Sequence, residues 1–152
     1  MNRFLLIALF FVLSIPAYAQ STPDELITKF FEGYNKDSGK AIDDLYATNA
    51  WTSRIKEGID GIKKELNGYT VDYVGKYYGY ELITKRQLSD SFVLYSYMVK
   101  YDRQPMRFSF KFYKPNNTWT LYSFAVDSNL DDELSEAAKL YFLKLDENLQ
   151  LN

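Results

Sequence analysis

The side chains with most scope for chemistry in this chain are carboxylates and phenols. There are 14 tyrosines and 20 acidic residues, with no histidine and no cysteine. Without histidine the chain lacks the commonest metal ligand and the group best suited to proton transfer near neutral pH. What remains for acid–base work is a carboxylate base beside a phenol that steadies an oxyanion in an apolar cavity. Asp127 with Tyr95 or Tyr97 is the best such pair by facing direction. The plainer reading is stronger: Asp127 ends a strand before a helix cap, and tyrosine is a favoured strand residue. Catalysis is not expected.

Other chemistries find less support. Asp43-Asp44 and Asp131-Asp132-Glu133 are carboxylate runs, but adjacent positions on a helix do not face each other, and their spacing fits no calcium loop. Gly58, Gly61 and Gly68 are too scattered to cradle a phosphate. Neither metal nor cofactor is expected. Tyr77-Tyr78-Gly79-Tyr80 could stack on sugar or aromatic ligands, and reads more simply as an edge strand. Lys85, Arg86, Lys100, Arg103 and Arg107 are interleaved with aromatics, yet the acidic balance of the chain argues against nucleic acid.

The elements that must position these residues are written clearly. Three alternating segments follow one another: Ser91 to Tyr101, Arg107 to Tyr113 and Thr118 to Val126. A fourth, Tyr77 to Leu88, precedes them. Turns at Ser89-Asp90, Asp102 to Pro105 and Pro115-Asn116-Asn117 make an antiparallel meander. Asn116-Asn117-Thr118 also matches a glycosylation sequon, but a hairpin tip is the simpler reading.

Two-residue turns predict the register. Phe112, Phe110 and Phe108 should lie opposite Leu121, Ser123 and Ala125, and also opposite Tyr95, Tyr97 and Val99. Tyr80, Leu82 and Thr84 join that face. It is the one helices should cover, with Ser123 and Ala125 leaving room among large rings. A slip of one residue would invert a strand. The opposite face carries Met98, Tyr113, Tyr122 and Phe124 among Lys100, Arg107 and Lys111. So much apolar area on a second face predicts an oligomer interface, and a homodimer is expected.

Helices flank the strands. Thr22-Pro23-Asp24-Glu25 is a capping box with proline at the first position, and apolar residues at helical spacing run to Tyr34. Ser38-Gly39 reads as a break before a short helix through Leu45, and Trp51 as part of an extended link. Ile55, Ile59, Ile62 and Leu66 suggest a third helix, whose start Gly58 and Gly61 could delay to near Ile59. A C-terminal helix is expected over residues 128–146, capped by Ser128 or Asn129.

The first nineteen residues read as a signal peptide. Arg3 is the positive region, Leu5 to Ile15 the apolar core, and Ala17-Tyr18-Ala19 the cleavage site. An apolar run of about eleven residues is short of the roughly twenty a bilayer span needs. A mature chain cut after Ala19 would be periplasmic or extracellular, with no membrane anchor. Removing Arg3 leaves 17 basic against 20 acidic residues, a net charge of −3. Residues 20–152 suit one domain of α+β class.

The opening helix DELITKFFEGYNK, the short helix AIDDLY, GIKKEL leading into the strands, and the closing KFYKPNNTWTLYSFAVD resemble the NTF2-like (cystatin-related α+β) superfamily. The similarity is one of pattern and order over nearly all the mature chain. It implies helices across a curved sheet forming a cone, with dimers through the sheet's outer face. The cone would hold a small apolar molecule against Tyr34, Trp51, Tyr95, Tyr97 and Phe110. Members include isomerases, dehydratases and many non-catalytic modules, so the resemblance leaves activity open. The expectation is a non-catalytic binding or interaction module. The alternatives are a lyase or isomerase using Asp127 and a partner protein acting through the outer face.

Overall fold

A computed structural model describes residues 21–142. The segment read as a signal peptide, and the stretch after residue 142 assigned to the last helix, lie outside the described residues. The order is α1 (Pro23–Tyr34), α2 (Ser38–Tyr46), a short 3-10 turn (Thr52–Ile55), α3 (Lys56–Asn67), β1 (Tyr77–Ser89), β2 (Phe92–Tyr101), β3 (Met106–Tyr113), β4 (Thr120–Asp127) and α4 (Leu130–Phe142). The four strands form one open antiparallel sheet in the order β1-β2-β3-β4. The architecture is α+β, with helices packed on one face of the sheet and a further helix after it. No described helix is long and apolar enough to cross a membrane.

Local chemistry accounts for the helix starts. The Thr22 hydroxyl accepts the Glu25 N–H at 3.3 Å, and the Glu25 carboxylate accepts the Thr22 N–H at 2.8 Å. Two N–H groups that the first turn cannot satisfy are thereby paired. Asp37 caps α2 by accepting the Lys40 N–H at 2.8 Å. Ser38-Gly39, read as a break, therefore forms the first turn of α2. Trp51 sits in a turn leading into the 3-10 segment rather than an extended link. Helix α3 begins at Lys56 and runs through both glycines.

The core is a stack of rings between α1 and the sheet. Phe30 and Phe31 descend from α1 onto Phe110 at 5.3 and 5.8 Å between centroids, both edge-on. Phe110 meets Phe124 at 4.9 Å, and Phe31 stacks on Tyr80 at 3.7 Å. Edge-to-face packing aims ring edges at ring faces, which suits their quadrupoles. Ile27, Ile42 and Leu121 fill the space around them, each essentially inaccessible to solvent.

The register holds at the β3–β4 tip and departs from expectation elsewhere. The β3–β4 tip pairs Phe112 with Leu121, as a two-residue turn requires. One extra residue then enters β4, so Lys111 pairs with Ser123, Phe110 with Phe124 and Phe108 with Val126. A bulge of this kind inverts everything beyond it. Phe124 and Val126 consequently face the helices, while Ser123, Ala125 and Asp127 face outward. The room expected at Ser123 and Ala125 is occupied by the Phe124 ring.

Strand β1 has three such irregularities. Tyr80 and Leu82 pair with Val99 and Tyr97 on the helix side, but beyond Ile83 the strand inverts. Thr84 turns outward opposite Ser96, and Lys85 turns inward opposite Tyr95. Strands β2 and β3 are slid by two residues from the predicted pairing, with Tyr97 opposite Phe108. A slide of two leaves the faces unchanged.

Candidate functional site

Asp127 lies on the outer face of the sheet, away from α1. The β4 bulge aims it at Arg107, whose Nε and Nη2 donate to the two carboxylate oxygens at 2.9 and 3.0 Å. Arg107 also donates to Glu133 of α4 at 3.2 Å, and the Ser96 hydroxyl donates to the same Glu133 oxygen at 3.2 Å. The Asp127 hydrogen bond is the main cause that raises the Arg107 pKa, so the guanidinium stays charged. Asp127 thus holds Arg107, which ties the sheet to α4 through Glu133, and the expected pairing with Tyr95 or Tyr97 is not formed.

The carboxylate that does meet Tyr95 comes from α1. The Tyr95 hydroxyl donates to Asp24 Oδ2 at 2.8 Å, and Lys85 Nζ donates to the same oxygen at 3.1 Å. The Lys85 ammonium also lies 4.8 Å from the Tyr95 ring centroid. Burial raises the Tyr95 pKa, with Lys85 working against it. Hydrogen bonding to Tyr95 raises that of Lys85. Neither shift brings a proton donor or acceptor towards neutral pH, where general acid–base catalysis needs one. The trio fastens the start of α1 to β1 and β2.

Of the five residues expected to line a ligand cone, four come together. Tyr97 and Phe110 lie 6.0 Å apart, and Tyr95 stacks parallel to Tyr97 at 6.5 Å. Tyr34 packs edge-on to Phe108 at 5.3 Å and shares a hydrogen bond of 2.5 Å with Tyr101. Burial pushes the Tyr97 pKa up to about 12 and raises that of Tyr34 as well. These rings pack against one another and against α1. Trp51 does not join them: it is 66 % exposed, with the Arg54 guanidinium over its ring at 4.6 Å.

On the outer face three of the four expected interface residues are present and one is not. Phe124 is 4 % exposed on the helix side. Met98 is half-buried, while Tyr113 and Tyr122 are exposed. Phe92 joins them, 6.3 Å from Tyr113 and 5.4 Å from Tyr122. Helix α4 starts on this face through Glu133 but buries none of its residues fully. Leu130, Glu133 and Leu140 are half-buried, whereas Leu134, Tyr141 and Phe142 stand in solvent.

A separate cleft of about 770 Å³ opens between α3, the 69–75 segment, the β2–β3 turn and the residues leaving β4. Tyr69, Tyr73, Met106 and Val126 supply apolar surface, and Lys64, Gln104 and Asn129 supply donors. Tyr69 donates to Glu65 at 3.0 Å. This cleft was not anticipated from the sequence: the 69–75 segment that builds one wall lies outside every strand and helix. Gly75, buried and with φ of +92°, is the one local sign that the segment is built.

Comparison of the chain with protein-family models, curated proteins and solved structures finds no match in any of the three.

Proposed function

We propose that this chain is an exported, non-catalytic interaction module of NTF2-like type that pairs with a second copy through the outer face of its sheet. The observation that carries this reading is the Phe92–Tyr113–Tyr122 cluster on the outer face, its two tyrosines exposed, in a chain whose helix α4 also buries none of its residues fully. The helix-on-sheet layering and the order of the elements support the NTF2-like assignment. The Arg3, Leu5 to Ile15 and Ala17-Tyr18-Ala19 pattern supports export to the periplasm or beyond.

Size argues that α4 takes part. Four strands at about 4.8 Å spacing and seven paired residues at about 3.3 Å rise give a face of about 440 Å². A standard interface buries about 800 Å² on each partner. The stripe Leu134, Ala138 and Tyr141, at i, i+4 and i+7, adds to the surface available. Charge agrees: Asp131 and Asp132 are exposed on α4, and Lys111 and Arg86 are exposed on the outer face. A two-fold axis would set each acidic turn against the other copy's basic strip.

Light scattering on residues 20–152 should give a dimer at micromolar concentration. Tyr122→Lys and Tyr113→Lys together should give a folded monomer, since both side chains are exposed. A monomeric wild-type chain, or a double variant that still dimerises, would sink the proposal. Sequencing of the exported protein should begin at Gln20.

A further inference from the structure

The cleft beside α3 has features that neither the fold nor the pairing face requires. Its two tyrosines ride on a segment that is pinned at its base. Val74 and Gly75 donate to Thr70 and Val71 carbonyls at 2.9 and 3.0 Å, and Arg103 donates to the Val74 carbonyl at 3.0 Å. Asp102 accepts the Lys76 N–H at 3.1 Å, and Val74 is wholly inaccessible. Tyr73 is held on this rigid base yet is 62 % exposed, and its hydroxyl has no partner among the described residues. An aromatic ring presented in this way on a fixed turn is a preformed contact surface.

The opposite wall is smooth. A Cβ at Gly61 would meet nothing within 4 Å, so packing does not demand glycine there. Glycine in a helix interior costs about 1 kcal/mol relative to alanine, and at this position it leaves the backbone of α3 bare on the cleft side.

The lining narrows the occupant. A small apolar ligand needs a site that encloses most of its surface with apolar walls. This cleft is open, and its rim mixes donors and acceptors: Lys64, Gln104, Ser128 and Asn129 with Glu65 and with Asp127, whose charge is met by Arg107. No single charge dominates. A ligand rich in hydroxyls, each both donor and acceptor, fits such a rim. Its flat apolar faces would suit Tyr69 and Tyr73. We infer that this cleft is a saccharide-binding groove, with Tyr73 as stacking platform and Gly61 as close-approach wall. The groove is separate from the pairing face and does not depend on the dimer.

The test titrates maltotriose, cellotriose and chitotriose separately into isotope-labelled residues 20–152 and follows amide shifts. At least one should give saturable shifts at millimolar concentration, confined to residues 61–75, 103–106 and 126–129. Tyr73→Ala should weaken that binding by about tenfold or more. Gly61→Leu, whose side chain enters open space, should abolish it while leaving the denaturation midpoint no lower. Trp51→Ala removes an equally exposed ring elsewhere and should change nothing. Absence of saturable shifts with all three sugars would overturn the inference. So would binding that survives Tyr73→Ala or falls as much with Trp51→Ala.

Discussion

Gly75 occupies a position where no other residue fits. Its φ of +92° lies outside the range L residues favour, and a Cβ there would come within 2.5 Å of the Asp102 Cβ. The close approach exists because the 69–76 segment and the β2–β3 turn exchange backbone hydrogen bonds at this point. Gly75→Ala must either strain the backbone or part the two turns. A residue held in such a conformation costs on the order of 1–3 kcal/mol, and the clash adds to it. Urea denaturation should show a loss of at least about 2 kcal/mol. Gly58 makes the opposite case. Its added Cβ would meet nothing within 4 Å, inside a helix that gains from alanine. Gly58→Ala should raise stability by about 1 kcal/mol, read in the same experiment. The two glycines look alike in the sequence; only the surroundings separate them.

At the scale of elements, the strands and helices were legible because their periods are strong. Alternation over seven or more residues marks β1 to β4, and the capping box marks α1 to the residue. What stayed hidden was the bulges. Nothing local announces that Tyr122 is an extra residue in β4, since no glycine or proline stands beside it. Its insertion is decided by the core, which gains the Phe124 ring in place of Ser123. The same event turned Asp127 outward to Arg107 and removed it from the candidate pair with Tyr95. In β1 the bulge at Ile83 brought Lys85 inward to Asp24. The partner of Tyr95 was therefore unreadable, because it depends on two strands and a helix cap at once. Removing Tyr122 by deletion should test this directly. With the extra residue gone, a regular β4 keeps Lys111 opposite Ser123 and Phe110 opposite Phe124, so Phe124 stays in the core. Cooperative unfolding should be retained, read by circular dichroism against temperature, and its loss would show that Tyr122 is not the extra residue.

The whole molecule is held by a core in which phenols are buried among rings, and this sets how it should respond to alkali. Burial raises the pKa of Tyr97 from 10.0 to about 12 and that of Tyr77 from 10.0 to about 12. Burial also raises those of Tyr34, Tyr46 and Tyr101, with smaller effects of neighbours. The common cause is that a phenolate cannot be solvated in the ring stack. In the unfolded chain these groups lose protons near their ordinary value. Between pH 10 and about 12 the unfolded state therefore binds fewer protons than the folded one, and stability falls as pH rises. Below pH 10 the contribution of the neutral phenols is complete. Several tyrosines titrate over the same window, so their effects accumulate and unfolding should be abrupt. Urea midpoints measured from pH 8 upward should hold level to about pH 10 and then drop steeply. Phenolate absorbance should rise together with loss of the near-ultraviolet dichroism, because the buried phenols ionise only when the core opens. Phenolate formation that precedes unfolding and saturates in the native protein would mean that the rings are not packed against one another. It would restore the apolar cavity that Tyr95, Tyr97 and Phe110 were first expected to line.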